Sequence, residues 1–456
     1  MPTESNLPHV LLLSIPGLRQ QDLAQMPTLH ALATVGQCLP LAPGFPAVTC
    51  PVQATLTTGS VPATHGIVAN GIFDRREQQL EMWISPDSVH RARRLWDTLK
   101  ASDPAVQTAC WFPLQSKHAT ADLVCMPAPK HNADGTETMW CHTRPEPLYE
   151  LLREHLGDFP LHKFWGPLAG IESTQWIISS FLQATENQLP HFSYLYLPHL
   201  DYAAQRNGPD SDQALAACRA LDAEIARLVA GVTASASGNS PLVCVAGEYQ
   251  IRPVSHALFP NRVLREAGLL AIKETDDGIT IDMQASQAWA LADHQVGHIY
   301  LQDSSTQLAE QVKSLFTGQP GVGRVLVGED LVAAGLAAAA PLPKESRCGD
   351  VVIESSLDSW QCYFYWHEDE TPPAFARTVD IHRKPGYDPL ELHIDMTTRS
   401  IPLDPSLVRG SHGAVDPRNR HETVFIASRP VTEKATLEMQ EIAGLITHVF
   451  SSCGSC

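Results

Sequence analysis

A threonine at the predicted start of a helix is the residue best placed in this sequence to do chemistry. Thr49 follows a short extended run and stands shortly before Pro51. Its hydroxyl would lie at the positive end of the helix dipole, beside backbone N–H groups that have no helical partner. This position suits an oxygen nucleophile that must carry negative charge, and it also suits a bound phosphate. The alternative is that Thr49 only caps its helix.

A longer motif surrounds this threonine. Phe-Pro-Ala-Val-Thr-Cys-Pro occupies residues 45–51, Gly-Ser-Val-Pro residues 59–62, and His-Gly-Ile-Val-Ala-Asn residues 65–70. In order and spacing, these segments resemble the nucleotide pyrophosphatase/phosphodiesterase branch of the alkaline phosphatase superfamily, and the resemblance covers nearly the whole chain. It implies that Thr49 is the nucleophile and that Asn70 helps to hold the transferred phosphoryl oxygens.

Members of that family hold two zinc ions close together, one of them through an Asp-x-x-x-His pair and a C-terminal histidine. Here Asp201 matches the aspartate, Gln205 stands where the histidine is expected, and His412 lies in a matching Gly-x-His-Gly segment. The resemblance therefore implies that Asp201 and His412 bind a metal ion, with Gln205 as an oxygen ligand or a partner of the ligands. For His412 the alternative is an ordinary histidine in a surface loop.

The second ion of that family is bound by an aspartate after the first strand, by an Asp-His pair and by the threonine. In this sequence Pro16 replaces the first aspartate, and Glu248-Tyr249 replaces the Asp-His pair. Glu248 could supply a carboxylate, as a metal ligand or as the base of a second half-reaction. Zinc prefers nitrogen and sulfur ligands, whereas carboxylate and amide oxygens suit magnesium or manganese. The changes predict a shifted metal preference, a single-metal site or the loss of metal binding. Zinc is the expected divalent ion, with manganese or magnesium as alternatives.

A further cluster lies at Ala-Asp-His-Gln-Val-Gly-His, residues 292–298. Asp293 beside His294 imitates the missing Asp-His pair, and His298 follows four positions later. If this segment folds over the site, His294 and His298 could bind a phosphate or carboxylate of the substrate, or replace lost metal ligands. The alternative is that both histidines are solvated residues of a cap.

Apolar runs and helical periodicities alternate along the chain, as a layered α/β fold requires. Together with the resemblance, they predict an alkaline-phosphatase-like sandwich with a central, mostly parallel sheet flanked by helices. Ligands in such sheets bind at the carboxyl ends of strands, where the motif residues fall. The predicted strands are residues 10–15, 192–197 and 242–246, and the predicted helices are 27–35 and 212–231.

The character of the sequence changes between residues 257 and 342, where short strands, a helix near 305–316 and an alanine-rich stretch follow one another. We interpret this region as an inserted cap subdomain in a core formed by residues 1–256 and 343–456. Residues 351–366 and 391–394 are predicted as β structure after the insertion.

The composition of the chain indicates which partners it can bind and in which compartment it is expected. A net charge of −18 argues against binding of nucleic-acid polymers, and a small phosphorylated or anionic metabolite is the expected partner. No apolar run approaches membrane-spanning length, so no membrane association is predicted. The eleven cysteines lack the spacing of a disulfide framework and are expected to be reduced in a cytoplasmic protein. We interpret the terminal Cys453-Gly-Ser-Cys456 as an inert tail, although such a pair could bind a metal or oxidise.

The leading hypothesis is a metal-dependent hydrolase of a small phosphodiester, pyrophosphate or phosphonate-like substrate, with Thr49 as nucleophile. The second is a non-catalytic protein of the same fold that has lost part of its metal site and binds a metabolite or a partner. The third hypothesis is a phosphoryl transferase, whose first half-reaction would be the same as that of the hydrolase.

Overall fold

The computed structural model describes residues 7–131, 137–236, 240–276 and 278–453. The α-helices of the described residues are α1 (Pro27–Val35), α2 (Thr49–Thr58), α3 (Pro62–His65), α4 (Leu95–Ser102), α5 (Leu148–Leu156), α6 (Ile171–Ala184), α7 (His199–Asn207), α8 (Asp212–Ser235), α9 (Pro260–Glu266), α10 (Thr306–Phe316), α11 (Glu329–Ala333) and α12 (Glu441–Cys453). The strands are β1 (Val10–Ile15), β2 (Gln37–Ala42), β3 (Gly71–Asp74), β4 (Gln79–Met82), β5 (Thr108–Trp111), β6 (Leu123–Pro127), β7 (Lys130–His131), β8 (Glu137–Thr138), β9 (Cys141–Arg144), β10 (Phe192–Tyr196), β11 (Leu242–Gly247), β12 (Arg252–Pro253), β13 (His256–Leu258), β14 (Ile272–Thr275), β15 (Gly278–Ile281), β16 (Ala288–Asp293), β17 (Val296–Leu301), β18 (Val322–Val327), β19 (Val351–Ser355), β20 (Ser359–Gln361), β21 (Gly410–Ser411), β22 (Thr423–Ala427) and β23 (Leu437–Glu438).

A nine-stranded sheet forms the centre of the fold, in the order β23-β2-β22-β11-β1-β10-β5-β6-β9. The five strands from β11 to β6 are parallel to one another, and antiparallel pairs occur toward both edges. β1, β10 and β11 are buried along their whole length, as expected for strands that are covered on both faces. The prediction of a mostly parallel sheet is therefore confirmed, and the three predicted strands agree with the structure to within one residue.

Two groups of helices cover the sheet. α8 packs against α1, α6 and α7, and α12 packs against α2 and α4. The predicted helix at 27–35 is confirmed as α1, and the one predicted at 212–231 continues to Ser235. The side chain of Ser211 caps α8 by accepting a hydrogen bond from the N–H of Ala214.

The structure also contains a smaller four-stranded sheet, in the order β16-β17-β19-β18. Its strand β19 lies beyond residue 342, the predicted end of the inserted cap. α10 confirms the helix predicted near 305–316. The β structure predicted at 391–394 is wrong, because Pro389–Leu392 forms a 3₁₀ helix that the side chain of Asp388 caps at the N–H of Leu390.

Nine cysteines of the described part of the chain have free thiols, and eight of these are buried. Cys456 lies outside the described residues, as does the side chain of Cys453. Among the helices of the described residues, none combines the length and apolarity needed to cross a membrane.

Candidate functional site

Three neighbouring parallel strands bring the predicted site residues to one edge of the sheet. β1 ends before Pro16, β10 leads into α7 with Asp201 in its first turn, and β11 ends before Glu248. β1 pairs with β10 on one side and with β11 on the other, so the three carboxyl ends are adjacent. The arrangement confirms that the segments following these strands meet at one place.

Thr49 lies at the first position of α2 and faces this edge. Thr49 is buried, with only 4% of its surface exposed. The Oγ1 atom is 3.0 Å from the phenolic oxygen of Tyr249, and that hydroxyl donates in turn to Oδ1 of Asp201 at 3.4 Å. The hydroxyl of Thr49 is therefore connected to the Asp201 carboxylate through Tyr249.

His412 is presented to Asp201 in a defined tautomer. Its Nδ1 lies 2.8 Å from the carbonyl oxygen of Ala47, and because a carbonyl only accepts, Nδ1 carries the proton. The Nε2 atom is then a free lone-pair donor. It is buried, has no hydrogen-bond partner in the described part of the chain, and lies 4.0 Å from Oδ1 of Asp201. This is the form in which histidine binds a metal ion.

Gln205 stands one helical turn after Asp201 on α7, so both side chains lie on the same face. The hydroxyl of Tyr387 donates to Oε1 of Gln205 at 2.6 Å. Burial raises the pKa of Asp201 to about 7, although the nearby Gln205 amide and the Tyr249 hydroxyl act in the opposite direction. Asp201 is thus a buried carboxyl with polar neighbours, and among the described residues no Lys or Arg side chain lies within 4 Å of it to form an ion pair.

The carboxyl group of Glu248 lies between Ser14 of β1 and Gln53 of α2. Its Oε1 accepts hydrogen bonds from Oγ of Ser14 at 2.6 Å and from Nε2 of Gln53 at 3.0 Å. Its Oε2 is buried without a hydrogen-bond partner among the described residues. Burial raises the pKa of Glu248 to about 8, against the effect of these two hydrogen bonds.

Asn70 connects the N-terminus of α2 to β16. Its Oδ1 accepts the N–H of Cys50, the residue after Thr49, at 2.9 Å. Its Nδ2 and its backbone N–H donate to the two carboxylate oxygens of Asp293, at 2.9 and 2.8 Å. One of the two amide hydrogens on Nδ2 is sufficient for Asp293, so the second can serve a ligand.

A column of four aromatic rings passes through the site. The ring of Tyr249 stacks on His412, His412 lies against His294, and His294 stacks on Tyr387, with centroid distances of 3.6, 3.9 and 3.6 Å. His294 also approaches Oδ1 of Asp293 with its Nδ1 at 2.8 Å. His294 therefore lies in the site, in contact with His412.

His298 lies deeper in the smaller sheet. Its Nδ1 accepts the N–H of Gly349 at 3.2 Å, so its Nε2 carries the proton and donates to the carbonyl oxygen of Val68 at 3.0 Å. Burial lowers its pKa to about 4. Both ring nitrogens have main-chain partners, and substrate binding by His298 stays a prediction.

The donors fit a single ion better than a pair of ions. Asp201 and the lone pair of His412 converge, and the amide of Gln205 is beside them. At the second position Pro16 has no donor, and Glu248 offers only Oε2, because its Oε1 accepts from Ser14 and Gln53. At neither position of the described structure is a group of three His, Cys, Asp or Glu side chains arranged to hold a metal ion. The residues present therefore do not fit a two-ion centre.

A cavity of about 500 Å³ in the described part of the chain lies elsewhere. It is lined by the β3–β4 hairpin and by residues 344–347 and contains none of the predicted site residues. The polar side chains that converge around Thr49 are therefore separate from this cavity.

The structure brings Thr49, Asn70, Asp201, Gln205, His294 and His412 together, and it turns Glu248 and His298 toward other partners. Two neighbours escaped the sequence reasoning, Tyr249 and Tyr387. Tyr249 directly follows Glu248 at the end of a strand, a position that could have indicated it, whereas nothing local in the sequence connects Tyr387 to Gln205.

Comparison with known proteins assigns the family and the fold of this chain. Residues 10–388 match the sequence model of the type I phosphodiesterase/nucleotide pyrophosphatase family. Mouse ectonucleotide pyrophosphatase/phosphodiesterase family member 1 is 22% identical over 236 residues, which are 51% of this chain and 22% of that protein. An uncharacterized pyrophosphatase/phosphodiesterase of Schizosaccharomyces pombe is 24% identical over 227 residues, 49% of this chain and 40% of that protein. The matched regions thus span less than half of these relatives.

Two solved structures show the same fold. Phosphonoacetate hydrolase from Sinorhizobium meliloti 1021, in complex with phosphonoacetate, superposes with a TM-score of 0.63 at 15% identity and covers 98% of this chain and 96% of its own. An inactive threonine-to-alanine variant of murine ectonucleotide pyrophosphatase/phosphodiesterase 5, in complex with AMP, gives 0.61 at 14% identity, with 97% and 95% covered. The chain belongs to the type I phosphodiesterase/nucleotide pyrophosphatase family.

Proposed function

We propose that this protein hydrolyses a small phosphodiester, pyrophosphate or phosphonate-like substrate, with Thr49 as the nucleophile. The observation that carries the proposal is the placement of the Thr49 hydroxyl at the first position of α2, 3.0 Å from Tyr249 and connected through it to Asp201. Membership of the family and the small anionic ligands of the two similar structures support it.

The reaction would proceed in two displacements. In the first, Oγ1 of Thr49 forms a bond to phosphorus, the bond to the leaving group breaks, and the threonine proton ends on the leaving group. In the second, a water oxygen bonds to phosphorus, the bond to Thr49 breaks, and one water proton returns to Thr49. The free amide hydrogen of Asn70 and the positive end of α2 would stabilise the phosphoryl oxygens.

One divalent ion would be held by Asp201 and His412, with Gln205 beside them. When bound, the ion supplies positive charge that stabilises the negative oxygens on phosphorus. A nitrogen donor combined with oxygen donors leaves zinc, manganese and magnesium as candidates. His294 stacks against His412 and would lie next to the anionic substrate.

Hydrolysis of bis(4-nitrophenyl) phosphate and of phosphonoacetate, measured with zinc, manganese or magnesium, tests the proposal. Thr49→Ala should abolish turnover, whereas Thr58→Ala, at the other end of the same helix, should retain it. Intact-mass spectrometry of quenched reactions should show a phosphorylated wild-type protein and an unmodified Thr49→Ala variant. Turnover by Thr49→Ala close to that of the wild type would refute the nucleophile. Tight binding of AMP or phosphonoacetate without turnover would favour a non-catalytic binding protein.

A further inference from the structure

We infer that the Tyr249 hydroxyl takes the place of a second metal ion beside Thr49 and holds the nucleophile in position for attack. This inference rests on the proposed function, in which Thr49 is the nucleophile. It adds Tyr249 as a positioning residue for that threonine. It concerns the half of the site where the donors of this chain do not fit a metal.

The backbone of Tyr249 is held in register at the end of the central sheet. The N–H of Glu248 donates to the carbonyl oxygen of Ile15 at 3.0 Å, and the N–H of Gly17 donates to that of Tyr249 at 3.1 Å. These bonds continue the pairing of β1 and β11 past the ends of both strands. Gly17 has a φ of +75°, a conformation that glycine adopts readily and other residues rarely do.

The ring of Tyr249 is held as firmly as its backbone. It lies 3.6 Å from the ring of His412, with an angle of 5° between the planes, and the residue is completely buried. His412 is itself bonded to the carbonyl oxygen of Ala47, two residues before the nucleophile. The phenolic oxygen therefore has little freedom to move away from Thr49.

The hydrogen-bond directions orient the nucleophile. The single proton of Tyr249 is donated to Oδ1 of Asp201, so the phenolic oxygen is left to accept from the hydroxyl of Thr49. The Thr49 proton then points toward Tyr249, and the lone pairs of its oxygen point elsewhere, where phosphorus can approach. A metal ion bound to Thr49 would orient the same oxygen in a comparable way.

An ion could not satisfy its coordination at this place. Zinc in proteins usually takes four ligands. Pro16 supplies none, and Tyr249 occupies the position of the histidine in the family's Asp-His pair with a hydroxyl already bonded on both sides. Glu248 could offer only Oε2, because its Oε1 accepts from Ser14 and Gln53. One carboxylate oxygen together with the Thr49 hydroxyl does not complete four ligands.

Metal stoichiometry tests the inference independently of turnover. Protein purified without chelators or a histidine tag and incubated with zinc should hold one equivalent or less by mass spectrometry of its metal content. Glu248→Gln should leave that content unchanged, and Pro16→Asp/Glu248→Asp/Tyr249→His should gain about one equivalent. Two equivalents in the wild type, or a loss of metal in Glu248→Gln, would overturn the inference. Should the triple variant not fold, the wild-type content decides.

The positioning role has its own readout. Tyr249→Phe keeps the ring stack and removes the hydroxyl, so kcat for bis(4-nitrophenyl) phosphate should fall about tenfold or more while KM and metal content stay the same. Tyr365→Phe, which removes a buried hydroxyl bonded to Ile279, is the control and should keep kcat. An unchanged kcat in Tyr249→Phe would refute the role. Turnover retained by Thr49→Ala would instead refute the proposed function and leave the stoichiometry result standing.

Discussion

The ring of Tyr249 lies flat on the imidazole of His412, at 3.6 Å between centroids and 5° between planes. This contact joins two loops that are 163 residues apart in sequence, at the point where both face Thr49 and Asp201. Because His412 also contacts His294, and His294 stacks on Tyr387, the site is built from four rings contributed by four separate segments. The neighbouring rings fix the position of the His412 imidazole and enclose it.

The last ring of the column offers a graded test of stability. Tyr387→Phe keeps the stack on His294 and removes the donor to Oε1 of Gln205, which should cost about 1 kcal/mol. Tyr387→Ala removes the ring as well and should cost about 3–5 kcal/mol. Urea unfolding followed by fluorescence measures both values. Equal losses in the two variants would show that the hydroxyl, and not the ring, provides the stabilisation.

Gln205→His tests whether this residue faces the metal. The substitution would place a nitrogen donor one helical turn from Asp201 and should raise the affinity for zinc. Isothermal titration with zinc measures the change. Gln175→His, at an exposed position of α6, is the matched control for an added histidine and should leave the affinity unchanged. The same affinity in Gln205→His and the wild type would place residue 205 away from the ion.

The sequence was informative about strands and motif residues, and less so about how distant loops meet. Continuous apolar runs predicted β1, β10 and β11, since a strand buried on both faces needs apolar side chains throughout. The segment Glu-Leu-His-Ile at 391–394 has the alternation of a strand, but Asp388 and Pro389 begin a 3₁₀ helix there, and this local capping prevails. The stacking of Tyr249, His294, Tyr387 and His412 depends on tertiary packing, which no local pattern records.

A buried ion cluster holds the segment that carries Tyr387. Nζ of Lys384 lies 2.7 Å from Oδ2 of Asp388 and 2.6 Å from Oε1 of Glu391, and all three side chains are buried. Lys384→Met would leave two buried carboxyl groups without a cation and should cost about 3–5 kcal/mol. Its neighbour Arg383 forms an exposed pair with Asp380, so Arg383→Met should cost less than about 1 kcal/mol. Thermal or denaturant unfolding measures the loss of unfolding free energy in each variant. Equal losses in Lys384→Met and Arg383→Met would contradict a buried cluster.

The histidine of the His-Gly-Ile-Val-Ala-Asn motif predicts a specific pH dependence. Nδ1 of His65 accepts the N–H of Ile67 at 3.1 Å, so the proton lies on Nε2, which donates to Oγ1 of Thr55 at 3.1 Å. Protonation of Nδ1 would break the bond to Ile67. Burial, and then the charge of Arg94, lowers the pKa of His65 from 6.5 to about 3.

The direction of the change in stability with pH follows from proton binding at His65. Between about pH 6.5 and pH 3 the unfolded chain binds a proton at His65 that the folded protein does not, so stability falls as the pH falls through this window. The contribution of this residue should reach about 1.4 kcal/mol per pH unit. His65→Asn, whose Oδ1 can accept the N–H of Ile67, should lose stability less steeply over the same range when unfolding is measured at several pH values. An NMR titration should show His65 neutral down to about pH 4, and protonation near pH 6.5 would contradict the assignment, because a ring free to take up a proton there could not be holding the loop between Thr55 and Asn70.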